Sequence, residues 1–385
     1  MESKIDIPSL KKSAIFSLGH FMTDIYPAFL PPLLPLLMDK FQLSFTRASF
    51  LGMILSFSSS LTQPIFGYLS DKFGGRKFMI MGPLVAGLAF SSIGLAWDYW
   101  VILVLIVIGG LGGASYHPEA AVSAVSLAGR QRTFAMAFFS LGGNLGYGVS
   151  PFFILGIVTL FGFEWSLLAA LPGVGMAWLL HKKAPSPEKM SFPSSETAFP
   201  PGGTANQRLN RFFILMAVVI LRITTVVSLL TFLPTIQTLR GFSLVVAGSS
   251  FTVFMICGAA GGMTGGFLSD RVGRKPLIVA SFVLTLPVFI AFLLVKGPFS
   301  FLPLAFLGFL LFLSEPAAIV LAQELAPHKT RIASSMVMGL AWGIAGLGLL
   351  GTGVLADRMG IENTLVFLIL LPAGALLFSL FLPRK

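Results

Sequence analysis

The sequence predicts an all-α integral membrane protein, with twelve transmembrane helices in two pseudo-symmetric six-helix halves. Three observations predict it. The 385 residues are 55 % hydrophobic and only 11 % charged, with a mean hydropathy of +0.89, whereas a soluble domain carries about 25 % charged residues to cover its surface. The charges are clustered, and the apolar runs between them reach about 20 residues, the length at which a helix crosses a bilayer. Finally, Gly67-Tyr-Leu-Ser-Asp71-Lys-Phe-Gly74-Gly-Arg76-Lys77 returns at half-chain spacing as Gly266-Phe-Leu-Ser-Asp270-Arg271-Val-Gly273-Arg274-Lys275. Each copy follows a glycine-rich apolar run and precedes another apolar run.

Helices are expected at roughly 13–37, 46–70, 77–97, 99–128, 133–160, 163–181, 211–238, 244–269, 276–295, 299–325, 331–355 and 362–382. With the N-terminus placed in the cytoplasm, only Lys40, Arg47, Arg240, Lys296 and Arg358 of the 26 lysines and arginines fall outside, and Arg222 is left within a helix. The positive-inside rule then puts both termini in the cytoplasm. The net charge of +11 thus follows topology, and no nucleic-acid partner is expected. The lone Cys257 lies in an apolar run, excludes an intrachain disulfide and reads as a small buried residue.

Taken in order, residues 1–12 are polar and basic, but the run after them contains His20 and Asp24 and lacks a small-residue cleavage site. It reads as a retained first helix, not a signal peptide. His20 and Asp24 are four apart and share a helix face, and ionisable groups inside a span usually face a cavity or a partner. Pro27, Pro31, Pro32 and Pro35 should bend this helix. In the fourth helix Gly109-Gly110-Leu-Gly112-Gly113-Ala-Ser-Tyr116-His117-Pro118-Glu119 is the densest polar insertion of the first half, and Pro118 frees the carbonyl of Ala114. His117 and Glu119 suit proton handling, since histidine titrates near neutrality and a buried carboxylate can be raised towards it. A structural hydrogen-bonded pair is the other reading. No third ligand sits at a suitable spacing for a metal, so none is expected. The fifth helix carries Gly142-x-x-x-Gly146, a packing stripe by its bland reading, with Asn144 and Tyr147 able to line a cavity. Hydrophobicity collapses over 182–210, which reads as a cytoplasmic linker between halves 1–181 and 211–385.

The second half repeats the first. Asp24 maps onto Arg222, and His117-Pro118 onto Glu315-Pro316. The first, fourth, seventh and tenth helices therefore all carry ionisable residues near mid-span.

The duplicated G-x-x-x-D-[KR]-x-G resembles the motif of the major facilitator superfamily of membrane transporters, which carry it in the loops between helices 2 and 3 and between helices 8 and 9. This resemblance covers nearly the whole chain. It implies the major facilitator fold, a central cavity lined by helices 1, 4, 7 and 10, and a conformational role for Gly67, Asp71, Gly74, Arg76, Gly266, Asp270, Gly273 and Arg274. Asp71 would face the start of helix 11 near Thr330–Ile332, and Asp270 the start of helix 5 near Thr133. Gly19-His20-Phe21 with Asp24, running into Leu30-Pro-Pro-Leu-Leu-Pro-Leu, resembles the fosmidomycin-resistance branch, whose members are thought to exchange protons for the drug.

No nucleophile elbow, metal cluster or P-loop stands out, so the chain is not expected to be an enzyme. No cofactor is expected beyond a proton gradient. The expected function is a proton antiporter that exports a small, fosmidomycin-like drug or metabolite by alternating access. Asp24, His117, Glu119 and Glu315 are the proton-coupling candidates. Arg222, His20, Tyr116, Asn144 and Tyr147 are the substrate-binding candidates, with Arg222 attracting an anionic group. A symporter importing a small organic anion or sugar is the alternative, and a non-transporting membrane receptor or scaffold is the alternative of another class. The expected partners are a small-molecule substrate, protons and the lipid bilayer. The expected protein is a multi-pass monomer of a bacterial inner membrane.

Overall fold

The computed structural model describes residues 7–126, 132–184, 205–326 and 330–383, and no strand occurs among them. Eleven stretches are long and apolar enough to cross a membrane. The remaining expected helix is present but interrupted.

We number the helices by span. α1 runs Ile7–Asp24, tightens through a 3₁₀ turn at Pro27–Phe29 and resumes as Leu30–Lys40, so the expected bend falls directly after Asp24. α2 comprises Phe45–Ser56, a π-helical Phe57–Leu61 and Gln63–Phe73. Its irregularity follows from sequence. Ser58 and Ser59 donate back to the carbonyls of Ile54 and Leu55, Thr62 to that of Ser58, and Gln63 to that of Ser59. Such back-bonding competes with the helical ladder. α3 is Gly75–Ser91, α4 Tyr99–Ser126, α5 Arg132–Phe161, and α6 Phe163–Ala169 continued by Ala170–Lys183. α7 is Ala205–Leu239, α8 Leu244–Val272, α9 Arg274–Leu294, and α10 Phe301–Leu313 then Glu315–Leu325. α11 joins Thr330–Ser335, Met336–Leu340 and Ala341–Met359, and α12 joins Ile361–Leu368 and Leu370–Ser379. α4 stays helical through Pro118, whereas its counterpart α10 breaks at Ser314. Most of the expected linker, 185–204, lies outside the described residues.

The chain forms two compact units, residues 1–33 with 54–193 and residues 34–53 with 194–385. Lipid offers no hydrophobic gain for helix association, so close approach through small residues has to hold each unit together. In the first unit, added Cβ atoms at Gly142 and Gly146 would run into the backbone carbonyls of Ser17 and Phe21, which confirms the stripe on α5 as a seat for α1. Buried hydroxyls add polar ties: Tyr26 donates to the carbonyl of Ala169 at 3.1 Å and Ser166 to that of Ser91 at 2.6 Å. In the second unit Gly261, Gly265 and Gly308 let α8 and α10 meet backbone to backbone. Trp97, Trp100 and Trp165 stay exposed near helix ends, where amphipathic rings suit the bilayer interface.

The internal repeat extends to side chains. Gly67 lies against Pro118 and Gly266 against Pro316, each with an added Cβ 3.9 Å from the ring. Gly74 and Gly273 take φ of +85° and +89°, and donate to the carbonyls of Ser70 and Ser269 at 3.0 and 3.1 Å. These left-handed turns favour glycine. Arg76 donates to the carbonyl of His181 at 2.6 Å. Lys275, one position beyond the expected Arg274, donates to those of Leu380 and Leu382, the latter at 2.7 Å. In each unit the basic residue after the motif thus holds the end of the last helix. Arg274 instead pairs with Glu324 at 2.9 Å.

Candidate functional site

Two buried polar clusters stand within the spans, one in each unit. The first is built where α1 breaks. Asp24 is the last residue of its helical segment, with His20 one turn below, and α4 brings in His117. His20 Nε2 lies 3.1 Å from Asp24 Oδ2, and His117 Nε2 lies 3.3 Å from Asp24 Oδ1. His20 Nδ1 is 2.8 Å from the carbonyl oxygen of Phe139, and the imidazole stacks on the Phe139 ring at 4.0 Å between centroids.

This geometry counts protons. The carbonyl of Phe139 only accepts, so Nδ1 carries a hydrogen. A neutral ring then has a bare lone pair on Nε2 facing a carboxylate, two acceptors in contact. The 3.1 Å contact becomes a hydrogen bond when one more proton sits between Nε2 and Oδ2, on either atom. His117 makes no such demand, because a neutral ring with hydrogen on Nε2 donates to Oδ1. The geometry therefore has room for one added proton, between His20 and Asp24. Gly143 of α5 keeps this space open. A Cβ there would lie 2.6 Å from His20 Nε2 and 2.7 Å from Asp24 Oδ2. Sequence reading singled out its neighbour Gly142 and passed over Gly143; the doublet was the available signal, one glycine for the helix backbone and one for the site.

Spacing alone offered no third metal ligand, but the fold supplies one from another helix: donor atoms of His20, Asp24 and His117 lie within 4.8 Å of one another.

The other expected residues of this unit separate. Tyr147 is half-buried on α5. Asn144 is exposed on α5. Tyr116 does not line a cavity: it is fully buried, and its hydroxyl donates to the carbonyl of Phe16 at 2.6 Å. Glu119 joins the motif instead of the histidines, because two residues along a helix turn it away from His117. Its carboxyl group occupies the space over Gly75, the first residue of α3, where a helix dipole favours negative charge. Asp71 and Asp270 are exposed at the ends of α2 and α8; the side chains of Thr133, Thr330 and Arg331, near their expected partners, lie outside the described residues.

The second cluster pairs two residues that sequence reading had given separate roles. Arg222 on α7 is 3 % exposed, and its Nη2 lies 3.7 Å from Glu315 Oε1 on α10. Its Nη1 donates to the carbonyl of Leu311 at 3.2 Å, beside the break at Ser314. Arg222 Nε and Ser314 Oγ are both buried without a partner among the described residues. An arginine presents five N–H donors, so this one has donors in reserve and only a loose ion pair. Sequence reading missed Ser314, which as the residue before Glu315-Pro316 is the counterpart of Tyr116 before His117-Pro118.

Comparison with known proteins agrees with this architecture. The Major Facilitator Superfamily profile matches residues 16–347. The chain is 28 % identical over 384 residues to the fosmidomycin resistance protein of Escherichia coli, covering 95 % of this chain and 91 % of that one. It is also 28 % identical over 379 residues to the uncharacterized MFS-type transporter YfnC of Bacillus subtilis, with the same coverage. Among solved structures, a bacterial homologue of the human lysosomal transporter Spinster, described as inward-facing and unoccupied, superposes with a TM-score of 0.76 at 16 % identity. That match covers 98 % of each chain.

Proposed function

Because this chain belongs to the Major Facilitator Superfamily and is a membrane transporter, we propose that it is a proton-coupled antiporter exporting a small, anionic, fosmidomycin-like drug or metabolite by alternating access. It would sit in a bacterial inner membrane with both termini cytoplasmic. The observation that carries the proton coupling is His20 held between two acceptors, Phe139 O and Asp24. A cargo group that donates to Asp24 would compete with that proton, and competition for one seat is the linkage an antiporter needs. The fosmidomycin-like cargo rests on the relative named above. Arg222, whose buried Nε has no partner among the described residues, is the anion-attracting group.

One observation favours the symport reading. Glu315 already occupies Arg222, so an anion binds there by displacing a carboxylate, and protonating Glu315 removes the competitor. Proton and anion then bind together. The sign of the pH dependence decides between the two. Fosmidomycin binding to purified protein that weakens as pH falls supports antiport at Asp24. Binding that tightens as pH falls, and loses this dependence in Glu315→Gln, supports co-binding at Arg222. Fosmidomycin susceptibility of cells with and without the protein, with the proton gradient collapsed as control, tests the cargo.

A further inference from the structure

α11 ends in Gly353-Val-Leu-Ala-Asp357-Arg358-Met-Gly360, a third copy of G-x-x-x-D-[KR]-x-G. Its geometry repeats the other two. The helix stops at Met359, Gly360 takes φ +81°, and its N–H donates to the carbonyl of Ala356 at 2.9 Å. The first two copies end even-numbered helices and this one ends an odd-numbered helix, so it lies on the opposite membrane face.

What this copy holds is visible. Asp357 Oδ1 accepts the N–H of Phe45 at 2.7 Å and Oδ2 that of Thr46 at 2.9 Å. Those amides open α2, so a two-pronged carboxylate caps the positive end of a helix, a charge-assisted contact. Gly353, one turn earlier, admits α2: a Cβ there would lie 2.5 Å from the carbonyl oxygen of Phe45 and would also collide with Ser49. Gly52 does the same from the other side, its added Cβ 2.6 Å from Leu349. The Phe45 and Phe232 rings meet edge to face at 5.6 Å. Residues 34–53 thereby belong to the second unit, although the chain before and after them belongs to the first. This limb lies between two irregular segments, the proline-rich 3₁₀ turn at Pro27–Phe29 and the π-helix Phe57–Leu61. Helices bend at prolines and π-bulges.

We propose that Asp357 is a latch: it clamps the limb 34–53 onto α11 in this conformation, and its release, with bending at the two irregular segments, is a step of the transport cycle. The proposal rests on the chain being a transporter and needs neither proton coupling nor a particular cargo.

The test uses full-length protein in lipid nanodiscs. Cys257→Ser removes the native thiol, and spin labels are placed on Gln42→Cys and Asn363→Cys, both at exposed positions. Double electron–electron resonance then reads the distance across the latch. Asp357→Ala and Gly353→Ala should each raise several-fold the share of a longer distance, and Asp357→Asn, which keeps an acceptor but not the charge, should do so less. Gly353→Ala leaves the aspartate in place, so the test survives if Asp357→Ala does not fold. A purely structural cap would lower the melting temperature and leave the distances alone. Unchanged distance distributions in Gly353→Ala and Asp357→Asn overturn the proposal, whatever happens to stability.

Discussion

Gly143→Ala asks whether the His20–Asp24 contact holds the transported proton. The new methyl carbon would lie 2.6 Å from His20 Nε2 and 2.7 Å from Asp24 Oδ2, whereas non-bonded contacts settle at about 3.5 Å or more. One or both side chains must yield by about 1 Å, which takes the 3.1 Å contact past the reach of a good hydrogen bond, about 3.2 Å. A hydrogen bond to a charged group contributes about 1.5–3 kcal/mol. This one exists only when the proton is bound, so its loss weakens proton binding alone. At about 1.36 kcal/mol per pH unit, the midpoint of the pH dependence of transport should fall by about 1–2 units. Gly156→Ala is the control, since it lies on the same helix and its Cβ would meet nothing within 4 Å. Proton-driven flux in proteoliposomes across pH is the assay. If Gly143→Ala keeps the wild-type midpoint in folded, inserted protein, the proton does not sit between His20 and Asp24.

Three further outcomes are expected. Arg222→Lys keeps a charge but loses the planar fork, so it should weaken binding of an anionic substrate such as fosmidomycin while the protein still inserts; undiminished affinity in Arg222→Ala would remove the anion assignment. Asp71→Asn should lower transport without affecting insertion, since the motif resemblance would set this carboxylate against a helix N-terminus, where a charge contributes about 0.3–2 kcal/mol; spin-label distances across that face that match wild type would refute the role. Cysteines at Lys182 and Phe299, both exposed, should react with an impermeant reagent from opposite sides of the membrane, Lys182→Cys from the cytoplasm; labelling from one side would break the topology.

The fold was legible because lipid imposes its own alphabet. Apolar runs of spanning length and the duplicated glycine–aspartate motif are one-dimensional signals, and the same half-chain offset reappears in space as Arg76 on His181 and Lys275 on Leu380. The candidate site was legible only in part. His20 and Asp24 meet because four residues along a helix is one turn, which spacing can show. His117 joining them, and Glu315 closing on Arg222, depend on how separate helices rotate about their axes, and no spacing encodes that. Tyr116 illustrates the opposite error: a polar residue in a polar insertion whose hydroxyl is spent on the carbonyl of Phe16. The third motif has no aspartate counterpart at the half-chain offset, so a two-fold repeat does not reveal Asp357.

Arg76 grips the carbonyl of His181, and the chain leaves α6 at Lys183. The last turn of α6 is therefore tied to the first turn of α3. Removing that tie with Arg76→Ala should let the end of α6 fray, read as faster hydrogen exchange at His181 and its neighbours while the interior of α3 keeps its protection.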